Sequence, residues 1–156
     1  MRDTFGAGKE ASVMQDDQAR RTQSIAPCGM DCGVCSAYLA YSHHVPKKRG
    51  AIAHCTGCRV RGKRCAYLKG HCPPLASGAV SYCFECADYP CARLRHLDSR
   101  YRDRYGMSLV DNLDLVRKAG VQALIERQQA RFACARCGEL RSVHNLKCYG
   151  CEDVRS

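Results

Sequence analysis

The chain has 156 residues, fourteen of them cysteine, with no tryptophan, three phenylalanines and a formal charge of +10 at pH 7. Leu, Ile, Val and Phe number 27, about 17% of the chain and short of the ~20% that ordinarily supports an apolar core. Apolar packing alone is therefore excluded as the organising force, and no run approaches the ~20 apolar residues of a membrane span.

Cysteine takes over that role, at about 9% of residues. Residues 1–24 are polar and charged, without the apolar run of a signal peptide, so a reducing cytoplasm is the expected compartment. There, C-x-x-C pairs read as metal sites more readily than as disulfides. A structural zinc contributes roughly 10–16 kcal/mol of apparent binding energy, comparable to the stability of a whole domain. The expected fold is a small irregular α+β protein with short helices, a cysteine-rich core stapled by metal and a C-terminal zinc ribbon.

In chain order, residues 1–24 are expected as a disordered tail. Residues 25–105 form the cysteine-rich metal-binding core, with Cys28, Cys32, Cys35, Cys55, Cys58, Cys65, Cys72, Cys83, Cys86 and Cys91 as candidate ligands. The run Cys28-x3-Cys32-x2-Cys35, with a remote Cys72-Pro73, follows the ligand logic of iron–sulfur clusters. Paired knuckles such as Cys55–Cys58 and Cys83–Cys86 suit mononuclear zinc equally well, so zinc and [4Fe–4S] both stay open for the core. His43, His44, His54 and His71 are possible substitute ligands. Asp31 is placed to cap a short helix through Cys35, Tyr38, Leu39 and Ser42.

A second helix follows Pro90, its stripe of Leu94, Leu97, Tyr101 and Tyr105 ending at Gly106. Residues 106–132 are a helical segment. Ser108 with Asp111 resembles a capping box, Leu109, Leu113 and Val116 form one stripe, and Gly120 bends the segment before Val121, Leu124, Ile125 and Gln128. These stripes are core-facing surfaces. Residues 133–156 are the zinc-ribbon element. Cys134-Ala135-Arg136-Cys137 and Cys148-Tyr149-Gly150-Cys151 are two knuckles ten residues apart, the spacing of a tetrahedral four-sulfur site. Gly138 and Gly150 are candidates for positive backbone angles in the turns.

The charge is open to two readings. Lys47-Lys48-Arg49, Arg59 to Arg64 with Lys63, and Arg93, Arg95, Arg100, Arg102 and Arg104 are candidates for a phosphate-binding face. Four thiolates around a divalent ion carry −2, however, so three such sites lower the total to about +4. A solvated surface offsetting anionic metal sites accounts for these groups more simply.

Three functional classes compete. The first is a cytoplasmic, zinc-binding structural or interaction module with an unidentified protein partner; the second is an iron–sulfur electron carrier. The third is a zinc-ribbon protein that binds nucleic acid, against which the few aromatics argue. Catalysis by the chain alone is not expected. The C-x3-C-x2-C run matches the cluster motif of radical-SAM enzymes, but the chain lacks the length and the strand–helix repeat of their barrels. Glu85 inside Cys83–Cys86 invites comparison with zinc deaminases, yet no His-x-Glu occurs and a solvent-facing Glu85 is expected. No nucleophile elbow, phosphate loop or dinucleotide fingerprint is present. A redox sensor that releases zinc on oxidation is a variant of the first class.

Ala26-Pro27-Cys28-Gly29-Met30-Asp31-Cys32 with Cys35, then Cys55-x-Gly57-Cys58, Cys65 and Cys72, then Tyr82-Cys83-Phe84-Glu85-Cys86-x-x-Tyr89-Pro90-Cys91, form a joint pattern. It resembles the bacterial and archaeal family known as domain of unknown function 3795. The resemblance extends over about residues 25–152, taking in the C-terminal knuckles. It implies cysteine-rich metal binding and no particular reaction or substrate.

Overall fold

The computed structural model describes residues 7–48, 52–61 and 71–152. Its helices are α1 (Ala7–Gln23), α2 (Ser36–Ser42), α3 (Cys58–Arg61), α4 (Pro73–Ala76), α5 (Ala92–Tyr105), α6 (Leu109–Ala119) and α7 (Val121–Phe132), with 3-10 turns at Cys32–Val34 and Cys83–Glu85. Among the described residues, β-pairing is reduced to the isolated bridges Ile25–Asp31, Lys48–Ile52 and Ala133–Leu140. The α+β class is corrected accordingly to a mostly helical one. The knuckle loops turn too tightly for a ladder to grow beyond one pair.

The three long C-terminal helices follow from their sequence. Gly106 accepts the left-handed cap of α5 at φ 63°, where a side chain would be strained. Ser108 Oγ then accepts the Asp111 amide at 3.0 Å, opening α6. Gly120, at φ 88°, separates α6 from α7. Leu94, Leu109, Leu113 and Leu124 are fully buried, each worth about 2–3 kcal/mol of burial. Asp98 is buried on the same side of α5 and accepts from Ser108 Oγ (2.8 Å) and the Val110 amide (3.0 Å), tying α5 to the start of α6.

The hub is the loop at 25–34, whose residues Ile25, Ala26, Met30, Asp31, Cys32 and Val34 are all buried. Gly29 sits at φ 87° against the Leu109 carbonyl, and Asn112 Nδ2 donates to the Gly29 carbonyl at 2.9 Å. The Cys83 amide donates to the Pro27 carbonyl (2.9 Å) and the Val143 amide to the Val34 carbonyl (2.8 Å). One loop thus holds the helices, the Cys83 turn and the C-terminal knuckles in register.

Two expectations change. Residues 7–23, expected within a disordered tail, are helical, and Arg21 reaches Asp31 with both guanidinium nitrogens at 2.6 and 2.7 Å. α1 also lies against α7, with Gln18 Nε2 donating to Gln122 Oε1. An ion pair anchors a helix too polar to dock by burial. Asp31 caps the 3-10 turn by accepting the Gly33 amide at 2.8 Å. The α-helix itself begins at Ser36, because Cys35 is extended (φ −82°, ψ 128°).

Candidate metal centre

The knuckles follow directly on α7. The Cys134 amide donates to the Glu139 carbonyl (2.7 Å) and the Gly138 amide returns to the Cys134 carbonyl (2.8 Å), with Gly138 at φ 79°. The loop between knuckles is closed by Ser142 N–H to Lys147 O (2.9 Å) and Leu146 N–H to Ser142 O (2.8 Å), and Glu152 N–H to Cys148 O (2.9 Å) ends the second knuckle. Gly150, expected at a positive backbone angle, does not adopt one, and a Cβ there would meet only the carboxylate end of the exposed Glu139 side chain, which is free to swing away.

These turns bring four sulfurs together. Cys134 Sγ lies 3.6 Å from Cys151 Sγ, Cys137 Sγ lies 3.4 Å from Cys148 Sγ, and all four are within 4.8 Å of one another. Sulfurs about 2.3 Å from one ion at tetrahedral angles stand about 3.8 Å apart. The sulfur set therefore has the dimensions of a single four-thiolate metal site. Cys134 and Cys148 are buried, Cys151 is half-buried and Cys137 is exposed, so the site has one open edge.

The thiols compete for protons as such a set should. The amides of Arg136 and Cys137 hold the Cys134 thiol down to about 6, whereas hydrogen bonding from Cys148 and Cys134 pushes Cys151 up to about 12. A cation removes that conflict, since coordination deprotonates each thiol outright. Among the described residues no other group of cysteine, histidine or carboxylate ligands is as tight.

The core cysteines fall into two neighbourhoods. Cys32 and Cys58 touch: the Cys58 amide donates to Cys32 Sγ at 3.3 Å, and the Cys58 thiol, donating to the same sulfur, lowers Cys32. Burial pushes Cys28 up to about 11 and raises Cys35, with Cys32 acting on both, and Cys55 lies close enough to act on Cys35. The Gly57 amide donates to Cys55 Sγ at 3.4 Å. The second neighbourhood is a cavity of about 350 Å³ lined by Cys72, Cys83, Cys86 and Cys91 together with His71 and Arg93. Burial pushes Cys83 up to about 12, reinforced by the sulfurs of Cys28, Cys72, Cys91 and Cys86. Cys65 lies outside the described residues.

The histidines stand apart from the tight sulfur set. His43 faces Glu139 at 3.4 Å, His44 occupies a left-handed turn at φ 53°, and His54 stacks edge-on to Tyr41. Glu85 points outward, as expected, and its carboxylate accepts the Ser81 and Tyr82 amides at 2.6 Å each. His144, outside the expected ligand set, fits between Tyr101 and Tyr105 and accepts the Ser36 amide at Nδ1 (3.2 Å). No spacing signal marks it. Arg59, the first residue of the basic run, is more than surface charge: it donates to the Ile25 carbonyl at 2.7 Å and lies over the Tyr82 ring.

Residues 24–96 match the family model described as protein of unknown function (DUF3795). The resemblance read from the cysteine pattern is thus shown over just under half of the chain, through the hub and both core neighbourhoods. The C-terminal knuckles, which that resemblance took in, lie beyond the matched residues. No curated protein and no solved structure matches the chain. Among the described residues no helix is long and apolar enough to cross a membrane.

Proposed function

We propose that this protein is a zinc-stapled interaction module, with Cys134, Cys137, Cys148 and Cys151 holding one structural zinc ion. The observation that carries the reading is the sulfur geometry, with pairs at 3.4 and 3.6 Å. Tetrahedral all-sulfur coordination suits Zn²⁺, whose filled shell imposes no competing geometry, and a closed four-ligand site leaves no position for substrate. The role is therefore structural.

The partner surface is the outer side of α5, where Arg95, Arg100, Arg102 and Arg104 are exposed. Only Arg102 has an acidic partner on its own helix, Asp98 at 3.3 Å. A basic face of this kind suits an acidic protein surface, with attraction that weakens as salt rises.

Metal analysis of the full chain tests the zinc assignment. Cys137→Ser should bind one zinc fewer than the parent, and an unchanged zinc content would overturn it. For the surface, labelled poly-glutamate should bind in a salt-dependent way, with loss in Arg100→Glu/Arg104→Glu. Tighter binding of duplex DNA or RNA than of poly-glutamate would move the nucleic-acid reading to first place.

A further inference from the structure

The cavity lined by Cys72, Cys83, Cys86 and Cys91 has no part in the zinc reading, and its chemistry is different. Its four thiols come from three separate places. Cys72 precedes α4, Cys83 and Cys86 bracket a 3-10 turn, and Cys91 is the residue before α5. Two backbone bonds fix the turn: Cys86 N–H to Cys83 O at 3.1 Å and Tyr89 N–H to Cys86 O at 3.1 Å. Beneath them, Leu75, Leu94 and Leu113 are buried, and Cys72, Cys83 and Cys91 pack on that apolar floor. A set of thiols gathered from three segments onto one cavity wall is a built feature of the fold.

The spacing of these sulfurs is what separates the cavity from the C-terminal site. There, four sulfurs crowd within 4.8 Å, the size of one ion; among the described residues no other ligand set is that tight. No three of the cavity cysteines are that close to one another, and together they line an open space of about 350 Å³. Ligands that line one space but stand too far apart to share a single ion suit a polynuclear centre, in which bridging sulfides lie between them and each thiolate caps one iron. The chemistry of the lining agrees. It offers four soft donors, and the Arg93 guanidinium balances the Asp88 carboxylate that lines the same space. Its apolar floor excludes water from one side.

We propose that Cys72, Cys83, Cys86 and Cys91 ligate an iron–sulfur cluster of the [4Fe–4S] class in this cavity. The inference stands independently of the zinc assignment, since none of the four residues is shared. It also places the cluster beside the Cys28 neighbourhood, because the Cys83 amide is bonded to the Pro27 carbonyl.

The test uses the full chain, reconstituted without oxygen with equal amounts of ferrous and ferric iron and with sulfide, so that the [4Fe–4S]²⁺ core needs no further oxidant, and read by iron, zinc and acid-labile sulfide per chain. The Cys83→Ser/Cys86→Ser variant should hold about four iron and four sulfide fewer than the parent. Its zinc content should not change. Cys137→Ser should show the reverse, losing zinc and keeping iron. A second readout needs no variant: in the loaded chain Cys72, Cys83, Cys86 and Cys91 should resist alkylation by iodoacetamide, and become reactive once the cluster is destroyed by oxygen and chelator. A reconstituted chain without sulfide, an occupied cavity that contains zinc alone, or equal alkylation before and after cluster destruction would each overturn the proposal. Retention of all iron in the double variant would overturn it too. If that variant does not fold, as judged by loss of helical circular dichroism, the alkylation comparison decides.

Discussion

The Arg21–Asp31 pair is where a small substitution should have a large effect. The Asp31 side chain is 0% exposed and that of Arg21 21%. The carboxylate accepts two guanidinium bonds at 2.6 and 2.7 Å and the Gly33 amide at 2.8 Å. Arg21→Met removes the cation and leaves a buried carboxylate whose charge nothing offsets, a change that costs about 3–5 kcal/mol. Asp31→Asn keeps the shape and replaces charge-assisted bonds by neutral ones, at about 1.5–3 kcal/mol. Arg21→Met combined with Asp31→Leu removes both charges and should recover most of the loss, giving strong coupling in a double-mutant cycle. With a urea slope of about 2 kcal/mol per M, Arg21→Met moves the midpoint down by about 2 M. Urea melts at pH 7 and fixed free zinc measure this, and amide exchange over residues 12–23 reports whether α1 comes loose. A loss under about 1 kcal/mol with unchanged exchange would show that α1 is held by something other than this pair, and the account of its docking would fall.

Two further outcomes follow from local geometry. Gly29→Ala demands a side chain at φ 87°, with its Cβ 2.5 Å from the Leu109 carbonyl oxygen; left-handed strain and overpacking together cost about 3 kcal/mol, and a thermal melt indistinguishable from the parent would contradict the hub's packing. His144, its ordinary value lowered by burial, is held neutral, with Nδ1 accepting the Ser36 amide and Nε2 facing the Tyr101 hydroxyl at 3.1 Å. The unfolded chain takes up that proton first, so this contribution to stability is complete above pH ~6.5 and fades as pH falls towards the lowered folded value. His144→Asn should flatten the slope of stability between about pH 5.5 and 7 relative to the parent, and equal slopes would remove His144 as its cause.

What was legible in the sequence was local. The stripe Leu94, Leu97, Tyr101 and Tyr105, the stop at Gly106, the cap at Ser108 and the break at Gly120 each act within a few residues, and α5 to α7 follow them. The C-terminal knuckles were readable for the same reason, since both ligand pairs and both turns lie in one short stretch. α1 was not, because no apolar stripe announces it and its anchor is a single charge pair reaching ten residues along the chain. The pairing of the core cysteines depends on tertiary packing. Cys72 and Cys91 share a cavity because Leu75 of α4 and Leu94 of α5 pack in one cluster with Leu113 of α6. Neighbouring knuckles, meanwhile, went to different places, with Cys58 against Cys32 and Cys83 among Cys72, Cys86 and Cys91. A spacing rule sees pairs; it does not see which pairs the helices bring face to face.

The knuckles are not a detachable appendage, and this shapes what disrupting their four-sulfur site should do. Val143, between the knuckles, is 2% exposed and packs in one cluster with Val34, Met107, Leu109 and Phe132. Its amide closes on the Val34 carbonyl, and His144 beside it fills the space between α2 and α5. Releasing the C-terminal site by Cys137→Ser therefore does more than loosen residues 133–152. It withdraws Val143 from the core, a burial of about 1.5–3 kcal/mol, and strips a hydrogen bond from the hub that also carries Cys32. The core of the variant should stay folded but melt earlier, with amide exchange quickening at Val34 and Cys35 before it does in α6. Unchanged exchange at the hub would make the knuckles an independent unit, and complete loss of helix would make the whole chain one cooperative structure held by that single site.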